Sequence, residues 1–211
     1  MDALLTLPQL SAFLVAAVLI TLAPGPDNLM VLSLGIARGR QAGIAFGLGC
    51  AIGCLSHTAL AALGISALIA ASSHAFAALK IAGGLYLVWL GVQAIRNARP
   101  PATTARDLPT ESVPRLFAKG LVANAINPKV ILFFLAFLPQ FVAAGGGAVA
   151  WQTAQLGIVF TLQAALIFGA IGWFAGGIGQ SLRRHPAIGT WLDRIAGGIF
   201  VLIGLRLMTN P

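Results

Sequence analysis

The chain has 211 residues, 58% of them hydrophobic and only 9% charged, with a formal net charge of +8. A soluble domain carries about 25% charged residues, and a surface built from this composition would expose large apolar patches, so a water-soluble globule is excluded and lipid is the fitting solvent. The basic residues lie between apolar runs rather than in one stripe with interleaved aromatics, which excludes nucleic acid and makes the lipid bilayer the partner.

The N-terminus, Met1-Asp2-Ala3, has no positive region, and the apolar stretch runs past Leu32, so the first segment reads as a retained helix rather than a cleaved signal. Hydropathy predicts six transmembrane helices, over roughly 8–36, 42–72, 76–96, 115–141, 148–180 and 188–208. Span 1 is interrupted by Ala23-Pro24-Gly25-Pro26-Asp27-Asn28, because two prolines around a glycine cannot continue a regular helix. The interruption lies about 12 residues from Arg38, or roughly 18 Å along a helix, which is near the middle of a membrane.

Span 2 holds Cys50, Cys54 and His57 at i, i+4 and i+7, on one helix face. Two thiolates and an imidazole suit a soft metal; the plainer reading is two small packing residues and a hydrogen-bonded histidine. The Gly43/Gly47, Gly49/Gly53 and Gly172/Gly176 pairs mark close helix approach, read as internal packing and also compatible with a homodimer. Span 4 is interrupted at Ala125-Ile126-Asn127-Pro128-Lys129. Trp151 and Trp191, near span starts, read as interface anchors, and Phe133-Phe134-Leu135 as lipid- or core-facing surface.

The connections give an orientation. The first holds Arg38 and Arg40; the third holds Arg96, Arg99, Arg106, Arg115 and Lys119; the fifth holds Arg183, Arg184 and Arg194. The second, around Ser72-Ser73-His74, and the fourth, Ala143-Ala144-Gly145-Gly146-Gly147, have no Lys or Arg. The positive-inside rule puts the odd connections in the cytoplasm of an inner membrane and both termini outside.

The halves resemble each other. Lys80-Ile81-Ala82-Gly83-Gly84-Leu85-Tyr86 matches Arg194-Ile195-Ala196-Gly197-Gly198-Ile199-Phe200, and Gly25-Pro26-Asp27 corresponds more weakly to Asn127-Pro128-Lys129. Three spans per half is an odd number, so the halves are expected in opposite orientation, the inverted repeat of secondary transporters. The expected fold is therefore an all-α polytopic membrane helix bundle, six spans as a 3+3 inverted repeat with spans 1 and 4 broken. Residues 1–99 form the first repeat, 100–114 a cytoplasmic linker and 115–211 the second repeat.

Unwound backbone in hydrocarbon is tolerated only where protein or water covers it, so both breaks should face the interior. Their free N–H and C=O groups, with Asn28, Asn124 and Asn127, are expected to bind a polar solute near Pro24, Gly25, Pro26 and Pro128. Asp27 and Lys129 are the deepest charges and occupy matching positions, which predicts a direct or water-bridged ion pair that couples transport to charge. A static pair that only locks the packing is the alternative.

At these residues the chain resembles the lysine exporter family, in particular its homoserine/threonine exporter branch. The resemblance rests on Leu22-Ala23-Pro24-Gly25-Pro26-Asp27-Asn28, Gly39-Arg40-Gln41-Ala42-Gly43-Ile44 with Gly47-Leu48-Gly49, Leu79–Leu87, Asn127-Pro128-Lys129 and Phe137-Leu138-Pro139-Gln140-Phe141. It covers nearly the whole chain. It implies an inner-membrane exporter of amino acids or their analogues, driven by an ion gradient, and for some members cadmium or other cation efflux. One departure stands out: the position after Gly53 often carries an acid in that family, and here it is Cys54.

There is no Gly-x-Ser-x-Gly, His-Glu-x-x-His, Walker loop or pair of carboxylates on one helix, so an enzyme is not expected and no cofactor is implied. The reading is a proton-coupled efflux carrier for a small-molecule amino-acid substrate such as homoserine or threonine. Its rivals are a cadmium exporter using Cys50, Cys54 and His57, and a non-transporting membrane scaffold.

Overall fold

Proline placement decides where the helices of this chain begin. The structure, a computed structural model, describes residues 5–23, 25–98, 111–142 and 148–209, with backbone only at 65–71, 73, 76, 183 and 186. Helix α1 (Leu7–Leu22) opens on a capping box: the Thr6 hydroxyl accepts from the Gln9 N–H, and the Gln9 side chain accepts from the Thr6 N–H. Helix α2 (Pro26–Arg38) has Pro26 at its first position, where a missing N–H costs nothing. It ends at Gly39, whose φ of +87° turns the chain directly into α3 (Arg40–Ala71).

One extended residue, Ser72, separates α3 from α4 (Ser73–Arg96), and its hydroxyl accepts from the Ala75 N–H. The expected three-residue connection is therefore shorter, since a single capped residue turns the chain. Helix α5 (Val113–Ala125) is followed by α6 (Pro128–Leu132), which widens into a π-turn at Phe133–Phe137 and closes as a 3₁₀ turn at Leu138–Phe141. Helices α7 (Val149–Arg184) and α8 (Pro186–Thr209) complete the chain.

Four stretches are long and apolar enough to cross a membrane unaided: Arg40–Gly64, Ala77–Arg96, Val149–Leu182 and Ala187–Thr209. The pair α1 and α2, bent by 57°, and the segment Val113–Phe141, bent by 49° at its break, each add one span, giving up to six. No strand occurs among the described residues. The molecule is thus an all-α, multi-pass membrane bundle, with both expected interruptions in place. Pro24, residues 99–110 of the linker region and the glycine connection 143–147 lie outside the described residues.

The core is apolar, but large apolar residues also cover the outside and polar ones are set within the core. Leu7, Leu63, Leu166 and Leu202 are exposed, as are all four tryptophans, whereas Thr21, Asp27, His57, Asn124, Asn127, Lys129, Gln152 and Gln163 are buried. In lipid, helices associate by close packing rather than by a hydrophobic drive, and small residues let backbones approach. Here Gly49 lies against the Phe117 carbonyl and Gly120 against the Phe46 carbonyl, joining α3 to α5. Gly43 meets Gly172, and Gly157 meets Thr58, between α3 and α7. Gly84 meets Gly204, and Gly91 meets Gly197, between α4 and α8. The glycine pairs read from the sequence therefore face neighbouring helices of the same chain, except Gly176, which has open space beside it. On the connection preceding α5, Glu111 bonds Lys119 at 2.7 Å, and that hydrogen bond holds its carboxyl below the usual range.

These contacts separate two kinds of glycine. A Cβ on Gly120 would sit 2.0 Å from the Phe46 carbonyl oxygen, whereas one on Gly176 would meet nothing within 4 Å. Gly120→Ala is expected to cost about 1–3 kcal/mol or more through forced helix separation. Gly176→Ala should be neutral or gain about 0.5–1 kcal/mol. Unfolding midpoints in detergent check the contrast; equal midpoints would contradict it.

Candidate substrate site between the broken helices

Both breaks are built alike. Each new helix has proline at its first position and a charge at its second: Pro26 then Asp27 in α2, Pro128 then Lys129 in α6. An acid at a helix N-terminus is favoured by the helix dipole and an amine is not. The structure resolves this by crossing the two. The Lys129 ammonium leaves its own helix and donates to the Ile20 and Ala23 carbonyls, each at 3.0 Å, at the negative C-terminal end of α1. Oδ2 of Asp27 in turn accepts from the Asn124 side-chain amide at 3.1 Å and the Asn127 amide at 2.9 Å, from the other break. Asn127 also caps α6, its Oδ1 accepting from the Lys129 N–H at 3.0 Å.

Of the two forms expected, direct or water-bridged, a direct ion pair between Asp27 and Lys129 is not formed. Both are buried, 3% and 8% exposed, and both line one cavity, yet each takes its partners from the opposite break. The physical reason is the need of the broken ends. A direct pair would leave the last carbonyls of α1 and the two asparagine amides without partners in a dry interior. Gly25 makes the crossing sterically feasible, since a Cβ there would stand 3.0 Å from the Lys129 amine.

Behind Asn124 stands α3. The Cys54 thiol donates to Asn124 Oδ1 at 3.4 Å, and Nε2 of His57 bonds the Asn124 carbonyl at 3.0 Å; a carbonyl only accepts, so Nε2 carries the proton. Cys50 is free and buried. The suggested metal set of Cys50, Cys54 and His57 is not gathered: no group of three His, Cys, Asp or Glu side chains able to hold a metal occurs among the described residues. Two of the three hold an asparagine of the site instead.

Of the residues expected to contact substrate, Asn124 lines the cavity, together with the expected charge pair Asp27 and Lys129. Gly25 lies against the Lys129 amine, Asn127 and Asn28 stand one layer back, and Pro26 and Pro128 start the two helices. Pro24 lies outside the described residues. The sequence reading missed Thr21 and Gln163. The Asn28 side chain donates to the Thr21 carbonyl and the Gln163 side chain to the Thr21 hydroxyl, both at 2.8 Å. A glutamine inside the apolar run of α7 was the available signal, because a polar group at membrane depth turns inward.

An aromatic wall closes one side. The Phe133 ring lies 5.0 Å from Phe160, 5.3 Å from Phe137 and 6.1 Å from Phe13. Beyond it the Gln9 side chain bonds Gln152 at 3.0 Å and the Phe141 carbonyl. The free space at the charges is about 20 Å³, room for about one water.

A multi-pass bundle whose two interrupted spans hold a buried acid and a buried amine crosswise belongs to the class of broken-helix membrane proteins. The family model for LysE type translocators matches residues 18–211, and the chain belongs to that family. It is 35% identical over 202 residues to an uncharacterized membrane protein of Vibrio cholerae, covering 94% of this chain and 95% of the relative. It is 30% identical over 193 residues to the threonine efflux protein of Escherichia coli K12, covering 90% and 92%. It is 30% identical over 200 residues to the homoserine/homoserine lactone efflux protein of Salmonella typhimurium, covering 93% and 94%. No solved structure matches the chain.

The crossing predicts that Asn127 matters more to stability than its small size suggests. Asn127→Ala removes a hydrogen bond to a buried carboxylate and should cost about 1.5–3 kcal/mol. Asn127→Asp, which sets a second acid against Asp27, should cost more. Detergent unfolding of the two variants checks the order, and an aspartate variant as stable as wild type would contradict it.

Proposed function

We propose that this protein is a secondary active exporter of small neutral amino acids, with the site between the two breaks and the energy drawn from the proton gradient. The observation that carries this reading is the crosswise arrangement. At one point the chain offers acceptors for an ammonium, namely Asp27 and the Ile20 and Ala23 carbonyls, and donors for a carboxylate, namely Lys129, Asn124 and Asn127. An amino-acid zwitterion carries both groups and exchanges with these internal partners without adding net charge to a buried site. The names of the Escherichia coli and Salmonella relatives, threonine efflux and homoserine/homoserine lactone efflux, support the substrate class.

Space for one water cannot admit an amino acid, so loading requires the walls to part. We read that motion as rocking of two inverted repeats about the site. The offset that carries 80–86 onto 194–200 also carries Gly43 onto Gly157 and Thr58 onto Gly172; Gly43 packs on Gly172, and Thr58 on Gly157, so each contact is the image of the other. In this reading the basic connections face the cytoplasm across an inner membrane, substrate enters there and both termini lie outside. Asp27 and Lys129 change partners during the cycle, and a proton moving the other way neutralises one of them, as in an antiporter.

Counterflow in proteoliposomes tests this. Labelled threonine or homoserine should exchange, and an inward-directed proton gradient should drive net export. Asp27→Asn and Lys129→Met should each lower exchange by about tenfold or more, the value of a lost charge-assisted hydrogen bond. Wild-type protein that moves no amino acid from a labelled panel, or an Asp27→Asn protein that exports at the wild-type rate with its proton dependence intact, would overturn the reading.

A further inference from the structure

Two buried side-chain amides converge on Thr21, a residue of the cavity wall, each with an oxygen to spare. Asn28 and Gln163, 9% and 8% exposed, each use the amide nitrogen on Thr21, one on its carbonyl and one on its hydroxyl. The amide oxygens Asn28 Oδ1 and Gln163 Oε1 are both buried and have no hydrogen-bond partner. Thr21 itself lines the cavity, next to the Lys129 contact at Ile20. Buried acceptors are almost always paired in native proteins, so two orphans around one threonine ask for a donor that comes and goes. The crosswise clasp of Asp27 and Lys129 needs neither of them.

We infer that Thr21, Asn28 and Gln163 form a side-chain subsite that reads a hydroxyl on the substrate, apart from the groups that hold its ammonium and carboxylate. A hydroxyl both donates and accepts, so it satisfies either orientation of the Gln163 amide: donating to Oε1 as described, or accepting from the nitrogen if the amide is turned. An isosteric methyl at that point would leave unpaired the amide oxygen to which the hydroxyl donates. A site built to bond a hydroxyl therefore rejects the analogue lacking it far more strongly than an apolar pocket rejects an extra hydroxyl. The subsite thus selects hydroxylated amino acids over aliphatic ones of the same shape. This inference rests on the amino-acid reading above and adds the groups that discriminate among amino acids.

Threonine and valine differ by this one replacement and have nearly the same volume. In wild-type proteoliposomes, unlabelled threonine should inhibit labelled-threonine counterflow at a concentration about tenfold or more below that of valine, the value of one hydrogen bond left unmade. In Gln163→Met, which keeps length and removes the amide, the ratio of the two inhibitory concentrations should fall to about threefold or less, and likewise in Asn28→Leu. The ratio is read at whatever flux a variant retains, and the wild-type comparison needs no variant. Equal inhibition by threonine and valine in wild type, with amino-acid exchange intact, overturns this inference and leaves the exporter reading standing. A wild-type preference that survives both substitutions unchanged overturns the assignment to these residues. Absence of exchange with every amino acid overturns the exporter reading and this subsite with it.

Discussion

A buried charge in hydrocarbon must bring its own solvent, and in this protein each break supplies solvent for the charge of the other. The ends of α1 and α5 leave carbonyls without intrahelical partners, as every helix end does. Water would satisfy them at a protein surface, but membrane depth offers none. The Lys129 amine takes up two carbonyls at the end of α1, and two asparagine amides take up the Asp27 carboxylate. The two hydrogen bonds from Lys129 close the end of α1, while the Asn124 carbonyl at the end of α5 is bonded by His57 and by the Asn127 N–H. A direct acid–amine contact would satisfy the same charges and leave the end of α1 open and the asparagine amides unpaired, which explains why attraction between them does not win.

That arrangement depends on how closely the helices approach. Asn124 reaches Asp27 because α5 lies on α3, and α5 lies on α3 because Gly49 and Gly120 have no side chains to hold it off. Gly53 continues the same seam, where a Cβ would stand 2.9 Å from that of Asn124. Cys54 and His57, one and four residues further along, then fix the amide and the carbonyl of that asparagine. The chain of cause runs from small residues, through backbone contact, to the orientation of one side chain at the charges. The aromatic cluster around Phe133 completes the enclosure, and dryness in turn strengthens every polar contact inside it.

Much of this was legible in the sequence, and the part that was not has a physical reason. Apolar length fixes the spans, and proline beside a charge marks the breaks; both signals are local, and both survive into the structure at Pro26-Asp27 and Pro128-Lys129. What the side chains bond is decided by pairing across about 100 residues of chain, as between Asp27 and Asn127, and no periodicity encodes it. The sequence places an acid opposite an amine and invites the direct pair. Only the geometry of the helix ends reveals that carbonyls and amides compete for them. Cys50, Cys54 and His57 illustrate the same limit: a shared helix face is readable from spacing, but convergence on one point is not. Gln163 was readable in principle, as a polar residue in an apolar helix, but its link to Thr21 crosses from α7 to α1.

The neutral thiol of Cys54 bears on the charge balance of the cavity it lines. With Asp27 and Lys129 both charged, the cavity walls carry one negative and one positive group, and the thiol at 54 bonds Asn124 without adding charge. A zwitterion leaves that balance unchanged on entry. A cationic amino acid or a divalent metal would bring charge that no group on the cavity wall neutralises, at the steep cost of an unpaired ion in a low-dielectric interior. A second acid at position 54 would remove that objection. On the amino-acid reading proposed above, the charge balance of the cavity suits a neutral amino acid better than a cation, and Cys54, which lines the cavity, leaves that balance untouched. A ligand moves a conformational equilibrium only as far as it binds the two states differently. On the proposed reading the crosswise clasp meets that condition, because its internal bonds are exchanged for bonds to the substrate.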